Sequence, residues 1–496
     1  MCAALLLLLT CGAVLQAQPR CDIRHYSFSD GLSQSVVQRL VQSADGRLWF
    51  CTWDGLNSYD GTTFVSYNMA SPGGKALSTN RIIDIQLGGE DDLWCQTYDN
   101  RLFLFNQKEQ AFIDVLTPLE TSLRKPLTVD SYQVLPKGVA WLTTRSGEVF
   151  RIDGRAFKTG TDGVEHYATD GHPLKSNRIY RIYEDREGDE WVLTHKGVDV
   201  VGLKRVKAGG PAFRYVCECA GQFYLVSEAN KLYRYRREQG DFEKLNVSGY
   251  QGAIHWMESA GRDTLVLQTS HSVTFYACKS RTAATFRMSD IGRAEEKITA
   301  MCTDSRHHYW LMLERGEMVR LNPSTLEARL YRLPPSSLSD TDLRSRSLLF
   351  SDHNGTLWAI AKYGPLCYYD ETTDRFLPYL RDADNPTSFY VPTFQGYLMD
   401  RQGNLWLALD MGLARLSFQP HFFTFHLMEK NMDIRAFLAD NKGRLWAGSK
   451  SGVVRVRQQD GGPVLYLSSA GSSSRRNAPL DPRYMPCCRH AMATSG

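Results

Sequence analysis

Short stretches in which apolar and polar residues alternate recur along this chain, each followed at a near-constant distance by a large apolar side chain. Ile83-Asp84-Ile85-Gln86-Leu87 alternates as a half-buried strand should, and Val36-Val37-Gln38-Arg39-Leu40-Val41, at the matching place one copy earlier, is short and rich in valine. Next comes a turn ending in Gly, then an apolar residue and Trp: DGRLW to Trp49, NGTLW to Trp358, QGNLW to Trp406 and KGRLW to Trp446, with looser forms at Trp94 and Trp191. Degenerate copies put Trp141, Tyr224, Val266 and Trp310 at the same position. Most of these ten copies lie roughly 40 to 50 residues apart, the period of a four-stranded propeller blade.

Each part of a copy has a physical task. The Asp-x-x-Gly turn, as in Asp185 to Gly188 or Asp400 to Gly403, pairs an acceptor for backbone N–H groups with a residue that tolerates positive φ. The Trp strand follows, a second Gly such as Gly55, Gly197 or Gly412 turns the chain into a third strand, and Tyr59-Asp60-Gly61 is a hairpin signal leading to a fourth. One blade cannot bury both of its faces, so the Trp and its apolar neighbours are expected to pack between adjacent blades.

The predicted fold is all-β: a β-propeller of about seven four-stranded blades followed by the beginning of a second propeller. Leu333 to Ser339, LPPSSLS, breaks the strand pattern after the seventh copy and is the expected joint. The first propeller then spans residues 18–332 and about three repeats of the second span 333–457. From 458 to 496 strand alternation and repeat aromatics are lost. One reading of this aberrant tail is disorder; the other is a frameshift, because the last residues can be encoded so that a shifted frame reads AMLQARDGDFW, another turn-plus-Trp copy.

Composition narrows the partners. A formal charge of only +4 argues against nucleic acid. Residues 1–17 read as a signal peptide, because ALLLLLTCGAVL is too short to span a bilayer and Ala17 is a small residue at a cleavage position. Nothing later is long enough to be a transmembrane helix, so the expectation is an exported, soluble chain. The cysteines are scattered and read as small apolar residues. No phosphate loop, nucleophile elbow or paired-His metal motif occurs, so no catalytic residue, metal or cofactor is assigned.

DGRLWFCTWDGLNSYDGTTF, NKGRLWAGSKSGVVRV and HYSFSDGLSQSVVQRLVQSADG resemble the two-component regulator propeller repeats of periplasmic sensors in hybrid two-component systems, over residues 24 to 457. The resemblance implies two seven-bladed propellers, then a β-sandwich, a membrane helix, a histidine kinase and response-regulator parts in the full-length form, and the modules after the propellers are not visible here. It implies an oligosaccharide or polysaccharide fragment as ligand, control of glycan-utilisation genes, an inner-membrane location and a homodimer in the full-length form. The rival readings are a sialidase-like propeller glycosidase or lyase, and a protein-binding scaffold. The sialidase Asp-box is approached by Ser43 to Trp49 and Ser351 to Trp358, but neither has its Asp-to-Gly spacing.

If the four strands run outward in order, the loop between strands two and three lies on the face where one blade passes to the next. The variable residues of that loop are Trp53, Tyr98, Arg145, His195, His271, Tyr363, Asp410 and Lys450, and Arg81 and Arg178 begin their blades. Of these, Trp53, Tyr98, Arg145, His195, Arg81, Arg178, Tyr363 and Asp410 form the candidate ligand site. Aromatic rings stack on sugars, while Arg and Asp bond hydroxyls or acidic substituents. Trp53, four residues after the packing Trp49, is the best single candidate, whereas Trp256 is expected to pack between blades.

Overall fold

The computed structural model describes residues 18–19, 21–89, 92–160, 163–167, 174–201, 210–247, 249–250, 252–334, 347–360, 365–379, 394–409, 411–418, 434–439, 445–449, 452–455 and 466–468. The signal sequence and nearly all of the tail therefore lie outside the described residues. The chain divides into two compact units, 1–419 and 420–496.

Each repeat folds into one antiparallel sheet whose strands follow chain order. Among the described residues there are nine four-stranded sheets and one three-stranded sheet. The first unit holds blades 1 to 8 at residues 37–67, 82–114, 129–166, 179–201, 213–244, 254–287, 298–332 and 348–378. Blade 9 takes its first three strands from residues 394–417 and its fourth from Asp22–Tyr26, which pairs antiparallel with Gly412–Ser417. The second unit holds a sheet of its own, Ile434–Ala439, Leu445–Ser449, Gly452–Arg455 and Tyr466–Ser468. Its fourth strand falls inside the stretch that sequence reading assigned to the aberrant tail.

The repeat position is what closes the ring. Trp49, Trp94, Trp141, Trp191, Tyr224, Val266, Trp310, Trp358 and Trp406 lie in nine different apolar clusters, each joining its own blade to the next. Trp406 of blade 9 packs with Val37, Leu40 and Phe50 of blade 1, so the last seam returns to the first blade. This corrects the expected architecture. Instead of about seven blades and the start of a second propeller, nine blades form one closed ring. Trp310 and Tyr331 of blade 7 share a cluster with Leu349 and Leu357 of blade 8, so packing continues across the segment read as a joint. Residues 335–346 of that segment lie outside the described residues.

Among the described residues two short α-helices interrupt the pattern and were not expected. Leu116–Leu123, α1, buries Leu116 and Leu119 in the seam between blades 2 and 3. Gly154–Lys158, α2, starts at Asp153, whose carboxylate accepts from the N–H groups of Arg155 and Ala156 at 2.9 and 3.0 Å.

The turn aspartates do more than shape the turn. Asp185 Oδ1 accepts from the backbone N–H groups of Glu187 and Asp189, while Oδ2 accepts from the indole Nε1 of Trp191 at 3.0 Å. Asp304, Asp352 and Asp400 repeat this with Trp310, Trp358 and Trp406, each at 2.8 Å. In these four blades the residue six places before the buried indole thus satisfies its one polar atom. In the looser second copy that place is Gly88, and Trp94 Nε1 has no partner.

An Asp304→Ala chain is expected to lose about 1–3 kcal/mol in urea unfolding, because a buried donor loses its acceptor. Burial pushes the Asp304 carboxyl up, but hydrogen bonds from Trp310 and from the His308 backbone, with the His308 ring beside it, hold it below its ordinary value. Its folded pKa therefore lies below its unfolded one. Its stabilisation is complete above the unfolded value and fades as the pH falls through the folded value, and the variant should lack that acid-side component.

Around the axis, successive first strands are clamped to one another. Gln86 Nε2 donates to the Tyr132 carbonyl while its Oε1 accepts from Val134 N–H, and Gln133 does the same to the Ile182 backbone. In nine sheets the second residue of the first strand is a bulge, as between Val37 and Arg39 or between Ile254 and Trp256.

Candidate functional site

The expected face assignment is carried by hydrogen bonds. The loop residue that follows the second strand donates its N–H to the carbonyl of the residue preceding the first strand of its own blade: Tyr98 to Arg81 at 2.9 Å, Arg145 to Thr128 at 3.0 Å and His195 to Arg178 at 3.1 Å. Loops between strands two and three and the blade beginnings therefore share one face of the ring.

Neighbouring blades are tied at the same level. Gly55 N–H donates to the Asn80 carbonyl at 2.8 Å, and Asn80 Nδ2 donates to Asp54 Oδ1 at 2.9 Å. Gly55 has φ 101°, and a Cβ there would meet the Tyr67 carbonyl oxygen at 2.3 Å, so this loop requires glycine. The result brings Trp53 of blade 1 over the start of blade 2. The Arg81 guanidinium lies 5.4 Å from the Trp53 ring centre and 5.6 Å from that of Tyr98. Both aromatics are exposed, Trp53 by 46% and Tyr98 by 62%. Three residues picked out separately along the sequence thus form one exposed stack, with the cation between two rings.

A second group lies across blades 3 and 4. Arg145 and Arg178 line a cleft of about 290 Å³ with Asp130, Ser131 and Asn177. Arg178 also lies over Tyr180, at 5.9 Å, and the Tyr180 hydroxyl donates to Glu228 of blade 5. His195 is half-buried, with Nδ1 2.6 Å from Ser176 Oγ, which accepts from Arg178 N–H. It braces the start of blade 4 rather than standing free.

Arg39, Arg101 and Arg151 are each paired with carboxylates. Among the described residues no ion pair engages Arg81, Arg145 or Arg178, all three of them exposed. They are cations held in place by backbone and rings, ready for an anion or a hydroxyl-rich ligand.

Tyr363 and Asp410 lie outside the described residues, as does Lys450. His271 is one residue off the position that its blade presents, which is Ser270, after the strand Thr264–Thr269. Sequence reading missed Glu228 and Glu314, which occupy the Trp53 position in blades 5 and 7. Counting from the second strand would have found them, but those copies have lost their motifs. Trp256 is also corrected: it is 51% exposed, on the first strand of blade 6. Among the described residues no three His, Cys, Asp or Glu side chains gather as metal ligands, and no helix is long and apolar enough to cross a membrane.

Comparison with known proteins bears on the repeat. No curated protein matches the chain. Similar solved structures include the extracellular domain of the putative hybrid two component system BT4673 from B. thetaiotaomicron, at 18% identity and TM-score 0.37, covering 90% of this chain and 47% of that one. The corresponding domain of BT3049 from B. thetaiotaomicron matches at 18% identity and TM-score 0.35, covering 88% of this chain and 60% of that one. Virginiamycin B lyase from Staphylococcus aureus matches at 10% identity and TM-score 0.35, covering 80% and 99%. This chain thus spans about half the length of the first of these domains. Residues 31–54 and 173–196, which run from the start of blades 1 and 4 through the Trp strand to the loop bearing Trp53 and His195, match the family described as two component regulator propeller: the ring's repeat is, at those two places, similar to that family's.

Proposed function

We propose that this chain is the ligand-sensing propeller region of a hybrid two-component regulator, and that the face of blades 1 to 4 binds an oligosaccharide or polysaccharide fragment. The observation that carries the reading is Arg81, set between the exposed rings of Trp53 and Tyr98 with no ion pair among the described residues. Rings of this kind stack on pyranose faces, and an unpaired guanidinium bonds sugar hydroxyls, carboxylates or sulfates. Arg145 and Arg178 extend the same chemistry along the face. The repeat matched at residues 31–54 and 173–196 supplies the regulatory context. In this reading the region is periplasmic and binds without turnover. The full-length form sits in the inner membrane as a homodimer, and ligand favours one arrangement of the assembly that the membrane segment reports to a kinase controlling glycan-utilisation genes.

The test is calorimetry of the chain against neutral and uronic-acid oligosaccharides, with product analysis of the same samples. The expected result is binding without cleavage, weakened by about ten- to a hundredfold in Arg81→Ala and by a similar factor in Trp53→Ala. Cleavage products would replace the sensor by a propeller glycosidase or lyase, and binding unchanged in both variants would remove the face from consideration.

A further inference from the structure

The axis of the ring carries a second cavity, remote in sequence from the face just described. Its volume is about 580 Å³, and its walls are the first strands of blades 6 to 9. Trp256 and Glu258 come from blade 6, Thr299 and Cys302 from blade 7, Leu349 from blade 8 and Tyr397 from blade 9. Trp256 and Glu258 are two residues apart on one strand, so they project to the same side of it.

Two features set this cavity apart from ordinary channel surface. Trp256 and Tyr397 are 51% and 52% exposed, whereas the seam tryptophans are almost completely buried, so two large rings forgo burial to line the opening. Glu258 is the one charged side chain lining the cavity, and among the described residues it has no ion-pair partner.

The repeat itself indicates what such a ring takes. Trp256 follows the bulge of its first strand, and the same place is held by Arg39, Asp84, Arg181 and Tyr215 in blades 1, 2, 4 and 5. Arg39 of blade 1 pairs with Asp84 of blade 2. Arg181 of blade 4 lies over the ring of Tyr215 of blade 5, at 5.9 Å. In both pairs the acid or aromatic of one blade is covered by a cation from the blade before it. The blade before Trp256 offers Tyr215 at this place and the blade after it Ala300, neither of them a cation. The platform and the carboxylate are both there, and among the described residues lining the cavity there is no cation to cover them.

We infer that the channel between blades 6 and 9 binds a small molecule bearing an organic ammonium group, which sits over Trp256, is neutralised by Glu258 and is closed over by Tyr397. A protonated amine satisfies both the ring quadrupole and the carboxylate, whereas a neutral sugar could stack but would leave the charge of Glu258 unanswered. Amino sugars and polyamines share this chemistry.

The experiment is titration calorimetry of the full chain at neutral pH with glucosamine, N-acetylglucosamine and putrescine. Glucosamine or putrescine is expected to bind, and whichever binds tells amino sugar from polyamine. N-acetylglucosamine, which keeps the ring and loses the charge, is expected to bind at least about tenfold more weakly. Glu258→Gln, which preserves shape, and Trp256→Leu, at an exposed position, should each weaken amine binding by about tenfold or more. Arg81→Ala should leave it unchanged, which separates this site from the face. Binding of neither amine, equal binding of N-acetylglucosamine, or amine affinity unaltered in both Glu258→Gln and Trp256→Leu would overturn the inference.

Discussion

A Trp406→Ala chain is expected to lose about 3–5 kcal/mol of stability, the largest effect of any single substitution proposed for this ring. Trp406 is 1% exposed, stacks on Tyr26 at 5.5 Å, contacts Phe50 and Tyr59 at 5.9 and 5.7 Å between ring centres, and donates its indole N–H to Asp400. Other seams hold blades that the chain connects directly. This one holds the strands of residues 394–417 against blade 1, far apart in sequence, so the strand Asp22–Tyr26 and side-chain contacts keep it shut. Truncation removes the ring that fills the seam and leaves the Asp400 carboxylate without its indole partner. Urea unfolding followed by circular dichroism measures the loss. Hydrogen exchange should accelerate first in blades 1 and 9, and a loss under about 1 kcal/mol would show that this seam is not what closes the ring.

Removal of residues 22–26 should have a comparable effect by a different route. The five paired positions from Asp22↔Ser417 to Tyr26↔Leu413 would be lost, together with Ile23, which is fully buried. Gly412–Ser417 would become an exposed edge, a template for pairing with another chain. The shortened chain is therefore expected to self-associate on size-exclusion chromatography with light scattering, with amides 412–417 losing exchange protection. A chain that kept the parent's size and protection would refute the closure. Trp406→Ala keeps the ladder and loses every ring contact of the seam's indole, whereas this deletion loses the ladder and the Tyr26 stack but keeps the indole against Phe50 and Tyr59.

The blades themselves were legible because their signal is local. An indole at a fixed interval needs a seam, and even Tyr224 and Val266, where the motif has decayed, lie in the seams that the interval assigns them. The number of blades in the ring was not legible. Each seam satisfies its own two blades, and nothing in a repeat records how many others share the circle. Closure depends on Asp22–Tyr26, five residues that read as a lead-in to the first repeat and instead belong to the last blade.

The candidate site was legible in the same graded way. Trp53, Arg81 and Tyr98 were chosen by their place in the loop, and the ties from Gly55 and Tyr98 to Asn80 and Arg81 bring them together. Trp256 was misread because the ring's tryptophans at the repeat position all fill seams. Its position two residues into a bulged first strand, opposite Gln268, places it on the channel instead.

The closing ladder has a mechanical corollary. Because Asp22 faces Ser417, the segment that enters the ring and the segment that leaves it emerge side by side at the same end of an antiparallel pair. A tug that draws those two ends apart peels the pairs one at a time, like a zip, instead of shearing all five together. Tension on whatever follows residue 417 would therefore open the circle at this joint at low force.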